Sequence, residues 1–196
     1  MSHIRRRDLL KAAGCGVLFV MSGCANKKPL ATSEKLKDTD MEAMKLRPHH
    51  VLDIVTDYGA GGRLEPHPYG HSLHIVAKTI LSDTSTKMQF VIGADAVCQG
   101  CKYLQPDGRC TDVLRQLDSN GSPISKQSYN DGLDRRLLDY LGIKPGTVMT
   151  IRQYLETVNK KVPGIERICT HPKEDEKKRL AHLTAGLVKL GIRNKA

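Results

Sequence analysis

The sequence predicts an α+β fold, mostly helical, with about six helices around a small one- or two-strand element and a cysteine-rich loop. Three observations lead there. Apolar residues recur at helical spacing through most segments after residue 46. A single stretch, Lys87 to Ile92, alternates like a strand, with Met88, Phe90 and Ile92 on one side. Three of the six cysteines crowd into Asp95 to Asp112. At 196 residues, with no Trp and only two Phe, the chain suggests one domain with an aliphatic core.

The elements follow in order. Pro48 suits the first turn of a helix whose apolar face is Val51, Leu52, Ile54, Val55 and Tyr58. Gly59-Ala60-Gly61-Gly62 stops it, and a loop from Glu65 to His71 follows. Leu73, Val76, Ala77, Ile80 and Leu81 line a second helix. The strand comes next and delivers the chain to the cysteines. Val113, Leu114 and Leu117 suggest a short helix after Cys110. Leu133, Leu137, Leu138 and Leu141 define another, with Gly142 as its stop. Thr150 and Gln153 read as a capping box for a helix burying Ile151, Leu155 and Val158. A last helix begins near Pro172 and carries Leu180, Leu183, Leu187 and Leu190.

The cysteine stretch is the main chemical signal. Cys98 and Cys101 form a C-x-x-C pair, and two thiolates at that spacing can reach one metal ion. Gly100 permits the tight turn between them. Pro106-Asp107-Gly108 makes a turn that brings Cys110 back toward the pair. Cys169 comes much later and would be the fourth. Four thiolates suit a tetrahedral zinc ion or an iron–sulfur cluster. The other reading of four such cysteines is two structural disulfides. A chain of this size has little need of staples, and a Cys98–Cys101 bridge would close a very small loop.

Histidines give weaker signals. His49 and His50 are adjacent, so on a helix they point about 100° apart. Asp53 lies one turn after His49, and the sequence predicts that these two pair and turn to the cysteines while His50 turns elsewhere. His67, His71 and His74 read as loop or capping residues, or as a second metal site. His171 is a candidate ligand or the cap before Pro172.

The N-terminus reads as an address. Arg5-Arg6-Arg7-Asp8-Leu9-Leu10-Lys11 resembles a twin-arginine export signal. The apolar run from Ala12 to Met21 is too short to span a bilayer. It ends in Met21-Ser22-Gly23-Cys24, which resembles a bacterial lipobox, where the cysteine is lipidated. Residues 1–23 are then an export signal, 24–45 a polar tether, and 46–196 a single metal-binding domain. Twin-arginine routes carry folded proteins, which suits a cofactor inserted before export. The net charge is +10; removing residues 1–23 takes away four basic and one acidic residue and leaves +7. For a lipid-anchored chain the basic surface points to a membrane rather than nucleic acid, for which no aromatic-basic stacking motif is present.

Leu46-Arg47-Pro48-His49-His50-Val51-Leu52-Asp53 resembles a family of small bacterial proteins of unknown function, usually labelled iron–sulfur or metal-binding, that open with Leu-Arg-Pro-His-His-Leu-Leu-Cys. The resemblance continues at Tyr58-Gly59, Gly93-Ala94-Asp95-Ala96-Val97-Cys98, Leu133 to Ile143 and Ile168-Cys169. This chain departs from the pattern in having Asp53 where a cysteine is usual, and Thr170-His171-Pro172 where many members carry another.

These readings converge on an exported, membrane-anchored lipoprotein of the cell envelope, on the periplasmic side of the cytoplasmic membrane. Its expected cofactor is an iron–sulfur cluster, of the four-iron, four-sulfur kind, on Cys98, Cys101, Cys110 and Cys169. His49, Asp53 and His171 are further candidate ligands, and Cys24 is the lipidation site. Electron transfer to a redox partner protein, or redox sensing, is the expected role. The alternatives are a structural zinc site in an interaction module, and an envelope enzyme using His49 and Asp53. No nucleophile elbow or zinc-protease motif supports the enzyme.

Overall fold

A computed structural model describes residues 42–117 and 122–194. The segments expected as export signal and lipobox, with Cys24, and most of the expected tether lie outside the described residues. The chain enters through strand β1 (Met44–Leu46) and then forms α1 (Pro48–Ala60), α2 (Leu73–Ser82) and β2 (Lys87–Phe90). Two short strands, β3 (Val113–Leu114) and β4 (Ile124–Ser125), precede α3 (Lys126–Leu141). β5 (Val148–Thr150), α4 (Ile151–Asn159) and α5 (Glu176–Lys189) complete the order.

The mostly helical α+β expectation holds. Among the described residues five α-helices stand where about six were expected, because Val113 to Leu117 forms a strand and a 3₁₀ turn instead of a short helix. Two small sheets replace the expected one- or two-strand element. In the first, the order is β1-β2-β5, with β1 parallel and β5 antiparallel to β2. In the second, β3 and β4 pair antiparallel. β1 and β5 have three residues each, too few for alternation to be read from the sequence. β1 also begins at Met44, two residues inside the segment expected as tether.

The core forms around β2. Met88 and Phe90 are fully buried among Leu46, Val55, Ile80, Leu137 and Leu155. The Tyr154 ring lies 4.8 Å from that of Phe90, and its hydroxyl donates to the Pro48 carbonyl at 3.0 Å, so a fully buried tyrosine keeps its polar end satisfied. The capping box is formed: Thr150 Oγ1 accepts from Gln153 N, and Gln153 Oε1 accepts from Thr150 N. α3 stops at Gly142, which takes the left-handed conformation.

α1 and α5 pack backbone to backbone. A Cβ on Gly59 would lie 1.8 Å from the His182 carbonyl oxygen, and one on Gly186 would lie 2.1 Å from that of Val55. Only glycine permits this approach, which brings Arg179 of α5 against α1. α5 starts at Glu176 with Asp175 as its cap, since Asp175 accepts from Lys178 N at 3.0 Å. The expected start at Pro172 is thus corrected by one turn. Aspartate ahead of the lysine-rich first turn offers a better acceptor than His171.

Candidate metal centre

The loop bearing Cys98 and Cys101 is built by a buried aspartate. Asp95 opens a 3₁₀ turn over Ala96–Cys98, and its Oδ1 accepts from Val97 N at 3.1 Å and Cys98 N at 3.3 Å. Its Oδ2 accepts from Arg47 N and from His50 Nδ1, each at 2.8 Å. One carboxylate therefore ties the cysteine loop to the start of α1. Burial pushes its pKa up, but the His50 ring and the backbone donors outweigh that and hold it down at about 2.

The next turn works as its residues imply. Gly108 N donates to Gln105 O at 2.9 Å, Gln105 N to Arg109 O at 2.8 Å, and Leu104 and Cys110 face each other as a bridge. A second loop, His67 to Ser72, is laced to the C-x-x-C turn. Lys102 N donates to Tyr69 O at 2.8 Å, and Ser72 Oγ to Gln99 O at 2.9 Å. Gly70 and Gly100, both at positive φ, face each other so closely that a Cβ on either would lie 2.7 Å from the other's carbonyl oxygen.

α3 holds the remaining parts together. Gln127 accepts from Cys110 N at 2.9 Å and donates to Asp131. Asp131 pairs with Arg47 Nη2 at 2.5 Å. Arg47 Nε pairs with Asp134 at 2.5 Å, and its Nη1 donates to Gly93 O at 3.0 Å. Asp134, with no exposed surface, also accepts from His49 N at 3.1 Å and bonds His49 Nδ1 at 2.7 Å. Tyr129 Oη lies 3.7 Å from Cys169 Sγ. The network runs without a break from Cys98 through Asp95, Arg47 and α3 to Cys110.

These elements enclose a cavity of about 320 Å³. All four expected cysteines line it, although Cys110 and Cys169 are far apart in the chain. So do His49, His50, Asp53 and His171. The four cysteines are free and half-buried, so the disulfide reading does not describe this structure. Burial, helped by the Asp95 carboxylate, pushes the Cys98 thiol up to about 11. Burial, with His50 beside it, holds His49 below the usual histidine value.

The pairing expected for His49 is corrected. His49 takes Asp134 from α3, and Asp53 instead bonds Arg179 Nη2 of α5 at 2.9 Å. Arg179 reaches Glu174 as well, at 3.3 Å. The physical reason is charge: a nearly buried guanidinium needs a carboxylate more than a neutral imidazole does. His50 is corrected too, because Asp95 draws its ring to the cavity wall. The two rings stand 4.3 Å apart, tilted by 54°. His171 lines the cavity, with Nδ1 accepting from Lys173 N at 3.1 Å.

The donor set fits a soft or borderline metal group in kind: four thiols and the imidazoles of His49, His50, His71 and His171 line the cavity. Among the described residues, no three His, Cys, Asp or Glu side chains gather closely enough to hold a single ion. The donors surround a space rather than meet at a point.

The family described as "Protein of unknown function (DUF1284)" matches residues 67–173, just over half of the chain. The chain belongs to this family. The matched stretch includes all four cavity cysteines and the organising helix α3. It begins after α1, so the opening motif and the segment expected as export signal lie outside it. No curated protein and no solved structure matches the chain.

Sequence reasoning missed α3 as organiser. Its Gln127, Asp131 and Asp134 carry the network, and one signal pointed there: Asp134 is a charge beside Leu133, Leu137 and Leu138 on an apolar face. A charge so placed implies a buried partner. Asp95, two residues before Val97 and three before Cys98, also has the spacing of a side chain that caps a turn.

Proposed function

We propose that this cavity holds a thiolate-bound metal group, an iron–sulfur cluster, and that the protein is an exported, lipid-anchored carrier of it in electron transfer or redox sensing. One observation carries the reading: four free thiols, three from one loop and one from beyond α4, line a single, partly open cavity. Burying free thiols together has no packing advantage over burying apolar side chains, and thiolates are the usual holders of iron–sulfur clusters. A lone zinc would need its thiolates about 2.3 Å from a common centre and is the alternative occupant.

Cys98, Cys101, Cys110 and Cys169 would hold the group, which when bound would supply reversible one-electron chemistry. The Asp95–Arg47–Asp134 network would keep the two cysteine-bearing segments in register with α3. Half-buried walls would leave one side of the site open to a redox partner. The envelope location rests on the likeness of residues 1–24 to an export signal and lipobox.

The test is purification under argon, followed by an absorption spectrum and assays of iron, acid-labile sulfide and zinc. A brown protein with iron and sulfide in equal amounts is expected. A colourless protein with one zinc per chain would replace the cluster by the structural zinc reading. A protein free of all three would end the metal proposal.

A further inference from the structure

We propose that the lip of the cavity built by His67, Tyr69, Lys102 and Tyr103 is the docking site of an acidic partner protein. This names the redox partner of the proposed function and rests on that reading only for what the partner exchanges.

The lip starts from the cavity wall. Tyr69 and His71 line the cavity, and a ladder of rings joins them to the outside. His71 stacks on His67 with centroids 4.3 Å apart, His67 meets Tyr69 edge-on at 4.5 Å, and Tyr69 meets Tyr103 edge-on at 4.8 Å. His67 is exposed and the two tyrosines are half-buried. The two loops that carry these rings are locked together by the Lys102 N bond to Tyr69 O, the Ser72 Oγ bond to Gln99 O and the close approach of Gly70 to Gly100. Rings held in this way have little freedom left to lose on binding, and tyrosine is among the residues that anchor protein interfaces.

Charge selects the partner. Lys102 is exposed, and its Nζ stands 4.7 Å from the Tyr69 centroid and 5.2 Å from that of Tyr103. Among the described residues no carboxylate pairs with it. The acids nearby are taken: Asp107 by Arg109 at 2.6 Å, and Asp112 by Lys126 at 2.9 Å. Lys126 itself lies 5.8 Å from the Tyr69 centroid. The uncompensated charge of the lip is therefore a cation on an aromatic surface. Leu114, which lines the cavity, pairs across the hairpin with Ile124, which is 37% exposed and adds apolar surface two residues before Lys126. Such a surface suits a protein that offers carboxylates around an apolar centre. Magnitude sets other polyanions aside. One basic residue contributes only about 1 kcal/mol toward an anionic bilayer, and nucleic acid is held by several phosphate contacts at once.

The test uses the full chain and a short dye-labelled peptide of alternating Glu and Leu. The same peptide with Lys for Glu, and phosphatidylglycerol vesicles, form the other arms. Fluorescence anisotropy gives the binding constant. Carbodiimide coupling, read by mass spectrometry, shows which ammonium meets the peptide carboxylates. The acidic peptide should bind in a salt-dependent way and couple chiefly to Lys102. Lys102→Glu should weaken it by about tenfold or more, and Lys102→Arg should keep it. Lys161→Glu, a change at a cation that lies over Tyr140 at 5.1 Å outside the cavity lining, should leave it unchanged. Coupling spread evenly over other lysines, Lys102→Glu binding as tightly as the unaltered chain, or equal binding of the basic peptide would overturn the inference. Lys102-dependent binding of the vesicles in preference to the acidic peptide would overturn it in favour of a membrane surface. Iron and sulfide are assayed in the same preparations. Lys102-dependent binding by a protein without them upholds the docking site and overturns the cluster reading; iron and sulfide without Lys102-dependent binding do the reverse.

Discussion

Asp95→Asn isolates the residue on which the cysteine loop depends. The carboxylate accepts four hydrogen bonds, two from the loop and two from the start of α1. Its pKa lies near 2 instead of 3.8, a difference worth about 2 kcal/mol of stability at neutral pH. At 7% exposure the carboxylate is little screened by solvent. Asparagine loses that contribution and also turns an amide N–H₂ toward two donors. If it faces the loop, Val97 N and Cys98 N are left unpaired; if it faces α1, Arg47 N is, and His50 must change tautomer. Each buried unpaired donor costs roughly 1–3 kcal/mol. The amide facing α1 leaves one donor unpaired and is the cheaper arrangement, so the expected total at pH 7 is about 3–5 kcal/mol, read as a lower urea midpoint by far-ultraviolet circular dichroism. The sign of the pH dependence follows from the lowered pKa. The stabilisation is complete above the unfolded value of 3.8 and fades as pH falls toward 2, with roughly half gone by pH 3. The gap between the two proteins should therefore narrow by about 1 kcal/mol between pH 6 and pH 3. A loss below about 1 kcal/mol at pH 7, or a gap that does not narrow, would refute the four-bond role of Asp95.

Other perturbations give equally definite outcomes. Arg47→Met removes the cation between Asp131 and fully buried Asp134 and should cost about 3–5 kcal/mol by denaturant titration; a neutral result would mean the pair is not buried as described. Gly186→Ala would normally favour a helix by about 1 kcal/mol, but here its Cβ meets the Val55 carbonyl at 2.1 Å, so the melting temperature should fall rather than rise. Cys24→Ala should move the protein from the membrane fraction to the soluble one; retention in the membrane would remove the lipoprotein reading.

Much of this fold is legible along the chain because helices are local. Apolar spacing marks α1, α2, α3 and α4, Gly142 and Thr150 mark two boundaries by their own chemistry, and the alternation of Met88 and Phe90 marks β2. The cysteines announce themselves by type and spacing, and the turns that return Cys110 to the pair follow from Pro106, Asp107 and Gly108. What a residue becomes across the fold is not written in its neighbours. β1 and β5 exist only as partners of β2, since three residues carry no period of their own. A one-turn spacing permits His49 to meet Asp53 but does not require it. The outcome was decided by competition, in which nearly buried Arg179 held Asp53 and buried Asp134 held His49. The sequence alone therefore determined the helices, the turns and the thiols. Only the tertiary structure determined that Cys169 lines the same cavity as the loop and that both histidines turn inward, because buried charges take partners by proximity in space and not along the chain.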